Sequence, residues 1–417
     1  MDIRLKNKNI LGINGLGRIG KLTLWHQIVT RHFDGVVINV GREVGNSLEH
    51  VVQVLETDST YGSLSRFVFG AGSAHKQIEV VDQAGGVLAF DGFMIQVMRE
   101  HRNPSDIRWK ANGVRIVVDC TGQFNDPTQA ADFGKGSLRG HLEAGAGLVI
   151  LSAPFKIKDK AKKIPEDSAM MVYGINHLDY EPSKHRIVSA ASCTTTGLAH
   201  MLYPLLEREE TSRIMTASMS TVHAATNSQN VLDAVPKALA TDLRKNRSVL
   251  NNIILSTTGA AKALEIIMPQ IEEIGFMADS VRIPTNTVSL IILNITFSSK
   301  MNEKGEPVVN KSFLDAVYTD AANGAQKGML VHSQKQNVSA DLMGFPAAVV
   351  IEGHETHTRT GFINLPEEVL SGMGVSAGKD IHLPVTHAKI FGWYDNEYGS
   401  YVTTMGKLIQ YLDHNLK

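Results

Sequence analysis

A chain of 417 residues, 43% hydrophobic and 20% charged, is too long for one ordinary core and is expected to fold as two globular domains. Its 41 lysines and arginines offset 42 aspartates and glutamates without clustering, which argues against nucleic acid or an anionic membrane as partner and favours small ligands. Two cysteines, Cys120 and Cys193, cannot supply a disulfide framework and lack the CxxC spacing of a zinc site, so a reducing, cytoplasmic setting and no metal are expected.

The opening MDIRLKNKNILGING holds no apolar stretch of export-signal length, and no later run approaches a membrane span. Residues 9–14 (NILGIN) read as a buried strand. Arg18 to Phe33 reads as a helix with apolar Ile19, Leu22, Trp25, Ile28 and Val29, and GVVINV as a second strand, which together make a βαβ unit. Further strands are expected at IEVV, MIQVM, VRIVVDC, GLVILSA and RIVSA, giving a doubly wound α/β sheet over residues 1–190. Beyond Cys193 the texture changes. TASMSTVHA, VSLIILNITF and AAVVIEG are long β-rich runs with helices between them, one from Gly259 toward Ile267, which suggests an α+β second domain with a mixed, mostly antiparallel sheet. Segments 130–140, 155–168 and 352–387 are rich in Gly, Lys, Ser or His and read as insertions or exposed loops.

Gly15, Gly17 and Gly20 form a GxGxxG pattern between the first strand and the first helix. There a tight turn lets backbone N–H groups and the helix N-terminus meet a pyrophosphate. The pattern calls for an acid at the end of the second strand to bind the adenosine ribose, but GVVINV ends in Val40, followed by Gly41 and Arg42. Two readings stay open. Arg42 pairs with a 2′-phosphate, which favours NADP, or Arg42 is merely solvated and Glu43 takes the ribose contact of NAD.

In SAASCTTTGLAH, Cys193 precedes apolar residues at helical spacing (Leu198, Met201, Leu202, Leu205, Leu206), so it sits at or just before a helix N-terminus. The dipole there favours a thiolate by at most about 2 kcal/mol, and moving a thiol pKa from about 8.5 to about 6 needs roughly 3.4 kcal/mol, so a partner is required. Among 16 histidines, His223 is the candidate because it ends an apolar strand at a polar, small-residue loop. His354 and His357 in GHETHTR lack a third metal ligand nearby and read as an exposed loop.

GINGLGRIG, SCTTTGLAH, TVHAATNSQ, STTGAAKA, VRIPTNTVS and WYDNEYGSY, in that order, resemble the phosphorylating glyceraldehyde-3-phosphate dehydrogenase family over nearly the whole chain, which is longer than usual for that family around 130–140 and 352–387. The resemblance implies a Rossmann domain over 1–190, a catalytic domain over 191–395, and a terminal helix in 396–417 packing back on the first. It implies a glycolytic oxidoreductase with Cys193 as nucleophile and His223 as its base. Arg18 and Ile19 would lie along the pyrophosphate, Thr121 and Gly122 beside the cofactor, and Asn396 on the nicotinamide carboxamide. Ser192, Thr194, Thr226, Arg247, Thr258, Gly259 and Arg282 would hold the substrate phosphate and inorganic phosphate. It also implies a homotetramer.

Departures from the family pattern are Ala190 and Thr196-Gly197 around the nucleophile, Val40 in place of the ribose acid, and Ala234-Val235 where NAD-preferring members carry bulkier residues, which again points to NADP. Ser400 and Ser228 also differ from the usual residues. The same mechanism on another phosphorylated aldehyde, such as erythrose 4-phosphate, is an alternative, as is a non-catalytic nucleotide-binding protein.

Overall fold

A computed structural model of the chain describes residues 8–416. The first seven residues, where no export signal is expected, lie outside the described residues. The described residues divide into two compact units, one built from residues up to Cys193 together with those from Glu397 onward, the other from Thr194 to Asn396. None of their helices is long and apolar enough to cross a membrane.

The first unit holds a nine-stranded sheet. Its strands are β1 (Ile10–Asn14), β2 (Gly35–Asn39), β3 (Glu79–Asp82), β4 (Val87–Phe90), β5 (Phe93–Met98), β6 (Val114–Asp119), β7 (Leu148–Leu151), β8 (Ser168–Met170) and β9 (Ile187–Ser189). They lie in the order β8-β9-β7-β6-β1-β2-β5-β4-β3. The strands from β8 to β5 are parallel, and β4 and β3 add an antiparallel edge. β1, β2 and β7 are buried along their whole length, as parallel strands covered on both faces must be, which is why they read as unbroken apolar runs. From β1 the chain goes to β2 on one side and later to β6 on the other, so the crevice for a ligand opens at the carboxyl ends of β1 and β6, where Asn14 stands opposite Asp119.

The first helix runs Arg18–Thr30 and not to Phe33. Arg31 takes a left-handed conformation (φ 53°) and donates its N–H to Gln27 O, which stops the helix, while Phe33 turns into the core. Leu22, Trp25 and Ile28 are buried as the spacing requires, but Val29 is exposed. They share a core with Met405, Leu408, Ile409 and Leu412 of the terminal helix Thr403–Asn415.

The second unit is α+β, with an eight-stranded mixed sheet. Its strands are β10 (Ile214–Ala224), β11 (Ile254–Thr257), β12 (Phe276–Ile283), β13 (Ser289–Ser298), β14 (Leu330–Ser333), β15 (Val349–Glu352), β16 (His357–Leu365) and β17 (Ile381–Tyr394). The order is β11-β12-β10-β13-β17-β15-β14, with β16 also paired to β17. Only β10·β12 and β14·β15 are parallel. The alternation in β13 is strict: Ile291, Leu293, Ile295 and Phe297 are buried, and Leu290, Ile292, Asn294 and Thr296 half-exposed.

The segment 352–387 is not a loop. β16 pairs with β17 antiparallel from His357↔Lys389 to Leu365↔Ile381, and a short helix, Glu367–Gly372, lies in their connection. Thr, Gly, His and Asn on an exposed hairpin resemble loop composition, and the ladder depends on a partner strand more than 20 residues on. Segment 130–140 likewise runs into a helix, Leu138–Glu143, capped by Ser137 accepting from Gly140 N. Segment 155–168 is turns until Ser168 opens β8.

Candidate active site

Three glycines shape the end of β1. Gly15 sits at φ +95°, and a Cβ there would lie 3.0 Å from Thr121 Cγ2. At Gly20 a Cβ would come within 2.0 Å of Gly15 O. Gly17 differs, because it caps the first helix in an extended conformation without a side-chain hydrogen bond and nothing lies within 4 Å of where its Cβ would be. First-turn N–H groups that no side chain caps, beside open space that a Cβ would enter, fit the pyrophosphate of a dinucleotide. Gly122, at φ +65°, has the same open surroundings.

The guanidinium of Arg18 is not part of that cradle. It is committed to Asp58 and to a two-pronged pair with Glu397, so what Arg18, like Ile19 after it, offers a pyrophosphate is its backbone N–H. Burial works against the Asp58 carboxylate. Lys21, the backbone N–H groups of Thr60 and Tyr61, and Arg18 nevertheless bring it down to about 2.

Beneath the crevice runs a buried polar chain that the sequence did not reveal. Asn39 Nδ2 donates to Asn14 Oδ1 (2.8 Å), and Asn14 Nδ2 to Asp119 Oδ2 (2.8 Å). Trp109 Nε1 donates to His141 Nδ1 (2.9 Å). An indole can only donate, so His141 is neutral, with its proton on Nε2, and donates that to Asp119 Oδ2 at 3.1 Å. The other carboxylate oxygen of Asp119 accepts from both N and Oγ1 of Thr121 and so fixes the Thr121-Gly122 turn. The only sequence signal was Asp119 itself, two residues before Thr121 at the end of VRIVVDC.

At the adenosine end, Arg42 is exposed and makes no ion pair among the described residues. Glu43 pairs with Arg99 of the neighbouring segment (2.7 Å), and Arg102 Nε donates to Gly41 O (3.1 Å).

Cys193 is the first residue of the helix Cys193–Leu206 and is a partly buried cysteine outside any disulfide. The turn before it is held tightly. Ala191 is left-handed (φ 53°), its N–H goes to Ser189 Oγ (3.1 Å) and its carbonyl accepts from Tyr401 OH (3.1 Å). Cys120, by contrast, is pushed up to about 12, chiefly by burial.

In the second unit, His223 lies opposite Arg282 in the β10·β12 register and is buried. Its Nδ1 is 2.7 Å from Ala224 O, and that carbonyl also takes a guanidinium N–H from Arg282 at 3.2 Å. Arg282 Nη1, which can only donate, lies against the same Nδ1, so that nitrogen faces a carbonyl and a donor at once. Burial and the guanidinium, 2.5 Å from Nδ1, push the imidazole down to about 4, so it is neutral at physiological pH and able to take a proton.

Ser289 joins this strand to Asn396: its hydroxyl accepts from Ala224 N (3.0 Å) and donates to Asn396 Oδ1 (2.9 Å). Asn396 is thereby turned so that its amide nitrogen is the atom it can offer as a donor. Thr194 Oγ1 is buried and bonded to Tyr394 OH (2.9 Å), which also meets Thr221 Oγ1 (2.7 Å).

The remaining phosphate candidates are more dispersed. Ser192 is half-buried just ahead of Cys193. Gly259 caps the helix Ala260–Ile267 with open space at its Cβ position, and Thr258 Oγ1 accepts from Ala260 N (3.2 Å). Thr226 opens an exposed loop, bonded to Ser228 and Gln229. Ala234 and Arg247 lie on the same loop, Ala234 N donating to Asn246 O (2.8 Å) and Arg247 paired with Asp233 (2.8 Å). No group of three potential metal ligands occurs among the described residues.

Residues 9–127 match the family described as glyceraldehyde 3-phosphate dehydrogenase, NAD binding domain, and residues 192–366 its C-terminal domain. The chain is 32% identical to the glyceraldehyde-3-phosphate dehydrogenase of Streptomyces coelicolor over 390 residues, 93% of this chain and 94% of that protein. It is also 32% identical to glyceraldehyde-3-phosphate dehydrogenase 2 of Schizosaccharomyces pombe over 390 residues and to glyceraldehyde-3-phosphate dehydrogenase 1 of Bacillus subtilis over 389, again 93% of this chain and 94% of each relative. The chain therefore belongs to the glyceraldehyde-3-phosphate dehydrogenase family, as an oxidoreductase that binds NAD or NADP and acts on an aldehyde.

Proposed function

We propose that the chain oxidises glyceraldehyde 3-phosphate with inorganic phosphate to 1,3-bisphosphoglycerate. Residues 1–190 with 396–417 would bind the cofactor, and 191–395 would carry the chemistry. Cys193 Sγ attacks the aldehyde carbon and forms a thiohemiacetal, its oxyanion held by the Cys193 N–H and His223. His223 would take the proton released as the hydride departs. A bound nicotinamide supplies the hydride acceptor, with Asn396 donating to its carboxamide. Phosphate then attacks the thioester, and the thiolate leaves as the acyl phosphate forms. Arg282, Arg247, Ser192, Thr194, Thr226, Thr258 and Gly259 would hold the two phosphate groups, since charge-assisted and hydroxyl donors suit dianions.

The observation that carries this reading is the Ser289 hydroxyl, which ties the strand of a buried, neutral histidine to Asn396. The test is absorbance at 340 nm with glyceraldehyde 3-phosphate and NAD or NADP, with and without phosphate. Turnover that ignores phosphate would overturn the phosphorylating step. NADP is the favoured cofactor on this reading, through Val40, Arg42 and Ala234.

A homotetramer is proposed too. One face of the second unit's sheet lies open, with Leu255 and Met277 exposed beside the half-exposed side of β13, and Val235 and Leu239 on the loop after β10 are 90% and 99% exposed. Apolar surface of that extent on a soluble enzyme calls for cover by another copy. Sedimentation as a monomer at micromolar concentration would refute it.

A further inference from the structure

The segments that follow β2 and β5 carry two carboxylates, Glu43 and Glu100, and the guanidinium groups of Arg42, Arg99 and Arg102, and their arrangement bears on cofactor choice. β2 and β5 run parallel with Asn39 opposite Met98, and Val40 N donates to Met98 O (2.8 Å). The chain beyond β2 therefore lies along the chain beyond β5. A Cβ on Gly41 would be 2.9 Å from His101 O and 3.3 Å from Arg102 Cα. Arg102 donates Nε to the Gly41 carbonyl (3.1 Å), and Arg99 Nη1 reaches Glu43 Oε2 at 2.7 Å. Glu100, the other acid nearby, faces His101 and Arg108.

Arg99 is the anchored member of its pair: its side chain is 25% exposed, that of Glu43 70%. Among the side chains of residues 41–44 only that of Glu43 can accept hydrogen bonds from ribose hydroxyls, and it would repel a 2′-phosphate. We propose that Arg99 is a positioning residue for cofactor choice, holding Glu43 away from the ribose so that no carboxylate meets it beside Arg42 and a 2′-phosphate is accepted. The proposal rests on the reading that Arg42 and Glu43 flank the ribose.

The size of the effect is bounded, because a pair with one exposed partner is weakly held in water. Releasing Glu43 should change the ratio of kcat/KM for NADP to that for NAD by about threefold to fivefold, not a hundredfold. The experiment is a double-mutant cycle with Arg99→Met, which keeps the aliphatic stem, Glu43→Gln, and the double variant, each assayed with both cofactors. A ratio taken on one preparation does not depend on how much of it is folded. In Arg99→Met the ratio falls about threefold to fivefold, with the NAD value rising as Glu43 is freed, and where Glu43 is already Gln the same substitution changes nothing. An equal fall in both backgrounds would mean that Arg99 touches the 2′-phosphate itself, and no fall in either would mean that it plays no part. Both overturn the proposal. A wild-type protein that prefers NAD would refute the role of Arg42 in NADP choice, yet the cycle would still decide whether Arg99 restrains Glu43.

Discussion

Two alanine substitutions three residues apart, at Gly17 and Gly20, separate the cofactor cradle from the fold that supports it. Gly17 has φ −79° and ψ −168°, which alanine adopts freely, and no atom within 4 Å of the added Cβ. Alanine is a poorer helix cap than glycine by up to about 1 kcal/mol, and its stiffer unfolded chain returns about 0.4–1 kcal/mol, so the stability of Gly17→Ala should stay near that of the parent. The methyl group nevertheless enters the space through which a pyrophosphate oxygen must approach the first-turn N–H groups. Losing one charge-assisted hydrogen bond there costs about 1.5–3 kcal/mol, or roughly tenfold to a hundredfold in cofactor Kd. Gly20→Ala behaves in the opposite way. Its Cβ would meet Gly15 O at 2.0 Å and Gly15 C at 3.0 Å, and backbone cannot swing aside like a flexible side chain. Overpacking of this kind costs about 1–3 kcal/mol or more, several degrees in Tm for a unit of this size. Calorimetry without cofactor and a fluorescence titration with it read the two effects separately. Gly17→Ala with parental cofactor affinity would refute the cradle.

Three further outcomes are expected. Cys193→Ala should abolish turnover with Tm unchanged, and iodoacetamide should alkylate Cys193 well before Cys120, whose thiol burial pushes up to about 12; equal rates would contradict the assignment. Trp109→Phe removes the donor to His141 Nδ1 and leaves a buried acceptor unpaired, at about 1–3 kcal/mol in urea unfolding. Because His141 acts through Asp119 on the Thr121 turn, cofactor KM should rise more than kcat falls, and a purely structural role would leave KM unmoved. His26 is buried, and burial, aided by Lys407, pushes it down to about 4. The unfolded chain binds that proton at about 6.5, so stability is lost as pH falls from about 6.5 toward 4, with a slope of up to about 1.4 kcal/mol per pH unit. His26→Leu should flatten that slope, while His223, shifted in the same direction, keeps its share. A slope identical to the parent's would count against the assignment.

The alternation of buried apolar runs with a periodic helix made the first βαβ unit legible, and a long β-rich run did the same for β13. What stayed hidden depended on partners remote in the chain. β4 and β8 are short strands whose identity comes from the neighbour they pair with. β16 reads as a loop until β17 lies beside it. In the candidate site, the glycines announce themselves because backbone geometry dictates residue type at Gly15 and Gly20. Trp109, Asp119, His141 and Ser289 carry ordinary local signals, and their meaning lies in hydrogen bonds that join separate elements. Arg18 shows the converse. Its place at the head of the helix was readable, but the commitment of its side chain to Asp58 and Glu397 was not.

The hairpin formed by β16 and β17 bears on how this chain came by its length. β13 pairs with β17 only as far as Ser298↔Val385, and beyond that rung β16 and the outer part of β17 pair with each other. Residues added there extend a ladder that sets its own register, and they displace neither the strand order nor His223 on β10. The match to the family's C-terminal domain ends at residue 366, at the far end of β16. Lengthening at such a place costs little beyond the slowly growing entropy of a longer connection. The hairpin is therefore a place where added residues would leave the register of β10, β13 and the inner part of β17 unchanged.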